Sequence, residues 1–369
     1  MHSEPIGRRS RPTRRAVLGA IAGVAAAGVA GGYAWDHLGH GSGGSDDPGG
    51  TAADGTGTGT GTGTNPSARP TGGHSFERLS APDRTVVRAA DGGTLATFTD
   101  GTRTAVLTGP TRSFSEPRTT EATVTTDAWV RVLPHEWQRG MEKSAWFKGW
   151  FGKALGNTSP DVFAVAFEYS SAGAPDKHNT TGVRYAGTAH FGPRNAAVNN
   201  PLDFAYHAEQ SDFYDYLGID WTFPDGTRVQ PEKARYGDVD CSGFQRLVWG
   251  YRMGIPVHNT NTRGAGLPRR AFAIAAYGPG RLVIPDTGEQ PTDLGALQPG
   301  DLVFFAIIKD RPDFIDHCGM YMGLDDQGRH RFYSSRSAAN GPTLGDLSGR
   351  SLLDGTDFYA RGFRAARRL

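Results

Sequence analysis

The sequence predicts an α+β protein in which a β-rich segment precedes a half built from a helix start and several strands. Three observations carry this. Short β-prone runs separated by Asp-Gly turns recur between residues 84 and 108. A polar stretch opens into an apolar-periodic run over residues 237–254, closed by Gly254 and Pro256. A continuous apolar run, Leu302–Ile308, is followed by a second strand-like run, Ile315–Gly323. Of 369 residues, 52 are Gly and 23 are Pro, and only 37% are hydrophobic, low for a single globule of this length. Part of the chain is therefore expected to lie outside any core.

That part is at the N-terminus. Residues 1–35 place five arginines, ending in Arg14 and Arg15, ahead of the uncharged stretch 16–34, the layout of an export signal or anchor. The order Thr13-Arg14-Arg15-Ala16-Val17-Leu18 resembles a twin-arginine signal, which implies export of an already folded chain to the cell wall or beyond. Its many Gly and Ala make it weakly apolar as a permanent span, so cleavage is favoured over retention. Residues 36–75 include a Gly-Thr alternation over 55–64, too poor in apolar surface to offset chain entropy, and read as a flexible linker.

A β-rich subdomain is expected over 76–200. Arg84–Ala89, Thr94–Thr99 and Thr102–Thr108 read as a meander, and Thr123–Leu133 as a further strand. Gln138–Leu155 has helical spacing of Met141, Phe147, Trp150 and Phe151; Asp161–Tyr169 reads as a buried strand. Trp129, Trp137, Trp146 and Trp150 suit a sugar-binding platform, but aromatics at helical spacing more often pack a core.

The chemistry-bearing residues lie in 201–369. Cys241 occupies the first turn of the expected helix, where free N–H groups and the dipole favour the thiolate and offer donors to an oxyanion. Strand alternation over Ile315–Gly323 puts His317, Gly319 and Tyr321 on one face and Cys318, Met320 and Met322 on the other. If His317 faces Cys241, Cys318 points away as core filler. The competing reading is a Cys241–Cys318 bridge, since the chain has two cysteines.

Three segments together carry a resemblance: Asp240-Cys241-Ser242-Gly243-Phe244, Pro299-Gly300-Asp301-Leu302-Val303-Phe304-Phe305, and His317-Cys318-Gly319-Met320-Tyr321-Met322-Gly323. They resemble, in order, the blocks of the NlpC-type cysteine peptidases. The resemblance spans roughly residue 202 to the last residue. It implies a papain-like domain, Cys at a helix N-terminus packed on an antiparallel sheet, that hydrolyses peptidoglycan stem peptides, commonly at the γ-D-glutamyl bond to a diamino acid. By the same resemblance Cys241 is the nucleophile and His317 the base. The residue that orients the imidazole falls at Ser334, where the family usually has His, Asn or Gln; His330 and Ser335 serve if the register shifts. Asp240 and Ser242 resemble residues that meet the free amine of the substrate, with helix capping the equal alternative. Trp221 stands where the family has a Tyr whose hydroxyl approaches the oxyanion.

Outside the first fifteen residues, which contribute +4 to a net charge of +1, nothing is basic enough for a nucleic-acid partner. His190 and His207 have no ligand-spaced companions, so neither a metal nor a cofactor is expected. The expected partners are stem peptides alone, bound by a monomer that meets a membrane only through its signal. Arg263, Arg269 and Arg270 lie in the long connection after the Cys helix and read as solvated or as carboxylate contacts. Asp301 reads as a turn brace, and Arg361, Arg364, Arg367 and Arg368 as a solvated or polymer-touching tail. A binding protein with a dead papain-like fold and a thiol acyltransferase are the alternative functions.

Overall fold

The computed structural model describes residues 73–171, 173–201 and 205–369. The expected signal over 1–35 and almost all of the linker over 36–75 lie outside them.

The first element is an antiparallel five-stranded sheet whose strands follow one another in space: β1 (Ser75–Leu79), β2 (Arg84–Arg88), β3 (Thr94–Thr99), β4 (Thr104–Ser115) and β5 (Thr123–Val132). The expected meander is present, with β1 added at its edge. β4 and β5 are the long pair, and a register shift between Thr108 and Arg112 bends them. At that bend Gly109 admits the Trp129 ring; a Cβ there would sit 2.4 Å from the indole.

The next elements are two helices. Ser144 caps α1 (Ala145–Ala154), which lies on this sheet and buries Phe147 and Phe151 against Phe98, Leu107, Trp129 and Trp137. The tryptophans are therefore a core, with Trp146 and Trp150 packed at its margin. The segment expected to be a strand from Asp161 is instead helix α2 (Val162–Phe167). Asp161 explains the difference. Its buried carboxylate accepts the Ala164 N–H at 3.0 Å as an N-cap, and also holds Arg112 and the Val130 N–H, fixing a helix start that an apolar run alone does not reveal.

Two short hairpins, β6 (Lys177–His178) with β7 (Arg184–Ala186) and β8 (Trp221–Thr222) with β9 (Arg228–Val229), flank helix α3 (Phe213–Leu217). Helix α4 (Cys241–Gln245) runs on through a π-type turn, Arg246–Arg252, and α5 (Ala271–Tyr277) follows. The second sheet is antiparallel, ordered β10-β15-β11-β12-β13-β14. Its strands are β10 (Arg281–Ile284), β11 (Leu302–Phe305), β12 (His317–Leu324), β13 (His330–Arg336), β14 (Gly341–Thr343) and β15 (Phe363–Arg368), the last preceded by α6 (Phe358–Gly362).

This sheet is buried on both faces. One face (Leu302, Phe304, Cys318, Met320, Tyr333) packs against α2, α4, α5 and the β4–β5 residues Phe114, Val124 and Val130. The other (Val303, Phe305, Tyr321, Phe332, Phe363) packs against Leu353 and Tyr359. Residues on both sides of position 200 thus contribute to one core.

The expectation of a solvated or polymer-touching tail is overturned for two of its four arginines, whereas Arg361 is exposed and Arg364 half-buried. Arg367 and Arg368 belong to an interior strand, and Arg368 makes a two-pronged pair with Asp301 at 2.8 Å while donating to Thr99 at 2.7 Å. A strand in mid-sheet must bury what it carries, and here Arg368 is paired with a carboxylate while Arg367 donates to the Ala275 and Gly280 carbonyls. Asp301 accordingly braces the turn before β11.

Candidate active site

The start of α4 is fixed by a buried ionic cluster. Asp240 caps it, accepting the Gly243 N–H at 2.7 Å and the Ser242 hydroxyl at 3.1 Å. Its oxygens also take Arg269 at 2.6 and 3.1 Å and the Gln210 N–H at 3.1 Å. Arg269 reaches Ser242 Oγ at 2.9 Å as well, and Asp212 pairs with Arg246 at 3.0 Å. Gly243 is required by packing, because a Cβ would meet the Ser211 carbonyl oxygen at 2.3 Å. Asp240 and Ser242, proposed from the sequence as amine contacts or caps, are both buried here and are engaged by Arg269 and the helix N-terminus.

Cys241 follows the cap and is 2% exposed. Its thiol donates to the Asp316 carbonyl at 3.9 Å, and the Cys318 thiol lies beside it. Both cysteines are reduced. The neighbouring Cys318 first, then burial, then the charges of Asp240 and Glu209 push the Cys241 thiol well above its ordinary value. This reverses the sequence expectation of a favoured thiolate: two carboxylates and a dry core outweigh a helix N-terminus whose Gly243 N–H is already taken by Asp240.

His317 opens β12 opposite Phe305. It shares that residue's face of the sheet, with its ring 5.7 Å from Phe305 and 5.4 Å from Tyr359. Its Nε2 is 3.2 Å from Ser334 Oγ, which is wholly buried on the adjacent strand β13. The register chosen from the sequence therefore does bring Ser334 to the imidazole, although at Nε2 rather than Nδ1. The alternatives are engaged elsewhere: His330 Nδ1 with the Tyr321 hydroxyl at 2.8 Å, and Ser335 Oγ with the Val239 carbonyl at 2.8 Å. Burial, reinforced by the charge of Arg336 and opposed by that of Asp240, pushes His317 down to about 3, so the ring is neutral.

Alternation along β12 holds, and it has a consequence opposite to the one expected for Cys318. The Cys318 face, not the His317 face, packs on α4, so Cys318 is the immediate neighbour of Cys241. Cys241 and His317 nevertheless meet at the mouth of β12, where both line one cavity of about 570 Å3. Among the described residues the thiol bonds to Asp316 and the imidazole to Ser334, and no direct hydrogen bond joins the two.

Phe191, Ile307, Ile308, Phe358 and Tyr359 supply the cavity's apolar walls, and Arg336 and Lys309 its cations. Two acids went unnoticed in the sequence because nothing in their spacing marks them. Glu209 is held up at about 7, chiefly by burial and then by Asp240, with Arg270 3.6 Å away. Asp316 is held up at about 6 by burial, while accepting the Ile307 and Ile308 N–H groups at 3.0 and 2.9 Å.

Trp221 is outside the lining; it packs edge-on against Phe213 at 5.0 Å, and its indole N–H is buried without an acceptor. A second cavity, of about 430 Å3 between Arg103, Arg263 and Tyr277, has no cysteine, serine or histidine in its walls. No family model and no curated protein matches the chain.

Proposed function

We propose that this protein is an exported thiol hydrolase of the NlpC type that cuts peptide bonds in peptidoglycan stem peptides. The observation that supports it most is that Cys241 and His317, drawn from a helix start and a strand, line a single cavity, while Ser334 on the adjacent strand bonds the imidazole from behind. A helix-start cysteine packed on an antiparallel sheet is also the papain-like arrangement. In this reading the substrate's scissile carbonyl sits over Cys241. The thiol leaves the Asp316 carbonyl and turns toward the cavity, and neutral His317, steadied by Ser334, takes its proton. The N–H groups of Cys241 and Ser242, which have no intrahelical acceptor at a helix start, face the developing oxyanion. His317 then protonates the leaving amine, and water admitted to the thioester releases the acyl half.

A second reading, a stem-peptide-binding protein without turnover, is favoured by one feature: the resting thiol is protonated and engaged by a backbone carbonyl. Incubating the full chain with muropeptides under reducing conditions, and identifying products by mass, separates the two. Cleavage that disappears in Cys241→Ala and persists in Cys318→Ala supports the hydrolase. Muropeptides that bind and are recovered intact establish the second reading.

A further inference from the structure

The chain's two cysteines come from distant segments, yet both are unbridged and belong to one core, Cys241 at the start of α4 and Cys318 on the face of β12 that packs against it. They are not equivalent. Cys241 lines the cavity, whereas Cys318 is wholly buried in β12 and is absent from the cavity lining. A reagent in the cavity therefore meets one sulfur, and only the protein presents the other.

We propose that Cys241 and Cys318 form a reversible redox pair, in which a small disulfide reacts at Cys241 and Cys318 then resolves the adduct into an internal disulfide. In the first step Cys241, as thiolate, attacks one sulfur of the reagent; a Cys241–reagent bond forms, the reagent's S–S bond breaks, and one small thiol leaves with the proton. In the second, Cys318 gives up its proton and attacks the Cys241 sulfur, expelling the second small thiol. Two protein thiols are oxidised and one reagent disulfide is reduced to two thiols. The internal disulfide removes the sulfur that the proposed hydrolase needs, so the consequence for activity rests on that reading, while the bond itself does not.

The test uses the full chain with 2-hydroxyethyl disulfide at mildly alkaline pH, followed by intact mass and thiol counting after denaturation. The expected wild-type product has lost two hydrogens and both thiols and carries no adduct; dithiothreitol restores both. Cys318→Ser should stop at a one-site adduct on Cys241, and Cys241→Ser should keep its remaining thiol. A wild-type adduct that persists, or two thiols still free after incubation, overturns the pair. Muropeptide cleavage is read in parallel: it should fall in wild type and in Cys318→Ser alike, because disulfide and adduct both block Cys241, and return on reduction, and cleavage that persists once the disulfide has formed overturns the stated consequence for activity. If the protein cleaves nothing in either state, the mass measurement still decides the disulfide while the hydrolase reading fails.

Discussion

Replacing Asp240 with Ala removes the acceptor of five hydrogen bonds from a site with no solvent to substitute for it. Loss of an N-cap costs about 1 kcal/mol. Stranding the guanidinium of Arg269, whose side chain is only 12% exposed, costs about 3–5 kcal/mol. Asp212, 3.5 Å from Arg269, retains part of the compensation, which places the total near the lower end, about 4 kcal/mol. That is a large share of the roughly 5–15 kcal/mol by which a domain is stable. Urea unfolding at neutral pH, followed by tryptophan fluorescence, measures it. Asp240→Asn keeps a capping oxygen and should lose about half as much. The double variant Asp240→Ala/Arg269→Met should recover stability relative to Asp240→Ala alone, because the stranded charge is gone. Acid narrows the gap. Burial raises the Asp240 carboxyl, but the charge and hydrogen bonds of Arg269 outweigh it and hold the group below its ordinary value. Its contribution is therefore complete above the unfolded carboxylate value of about 3.9 and is lost as pH falls through the lower folded value. An Asp240→Ala variant within about 0.5 kcal/mol of wild type, the range of surface changes, would refute the reasoning.

Three further outcomes are expected. Iodoacetamide should modify Cys241 at a rate that climbs about tenfold per pH unit without levelling below pH 9, because raising the thiol's pKa depletes thiolate at every lower pH; a plateau near pH 7 contradicts the raised value. His317, lowered to about 3 in the fold from about 6.5 in the unfolded chain, binds its proton preferentially when unfolded, so stability should drop as pH falls from 6.5 toward 4. His317→Gln should flatten that slope in urea titrations, and an unchanged slope assigns it to other groups. Ser334→Ala removes one hydrogen bond from the imidazole, worth about 1 kcal/mol, and should lower kcat for muropeptide cleavage about fivefold at unchanged KM. A loss of a hundredfold or more would give Ser334 a larger part than orientation.

Strands β2 to β5, β11 and β12 and the capped cysteine helix were legible because each signal is local: alternation, an Asp-Gly turn, an acidic cap ahead of an apolar run; β1, β10, β14 and β15 carry no such signal. Ser334 was legible too, once register was assumed, since a two-residue period fixes which side chain stands beside the imidazole. What the sequence concealed depends on partners far along the chain. The apolar run after Asp161 is buried all round, so its periodicity does not distinguish helix from strand; the deciding carboxylate is engaged with Arg112 and Val130. The face of β12 that packs on α4 is set by three-dimensional stacking, and with it the closeness of Cys318 to Cys241. The ionisation of Cys241 depends on Cys318, Asp240 and Glu209, two of which come from other elements. The arginine partners of Asp240 and Asp301 likewise lie in later segments, Arg269 and Arg368, that carry no motif of their own.

The position of β15 between β10 and β11 has a bearing on how the molecule is made. A nascent chain that has already released β11, β12 and β13 from the ribosome still exposes the apolar edge that Phe363 and Ala366 will cover, and Asp301 awaits its guanidinium. Assembly of this sheet therefore waits on the synthesis of residues 363–368. Any shortening that removes them leaves an open edge fit for chaperone capture or aggregation rather than a smaller working unit.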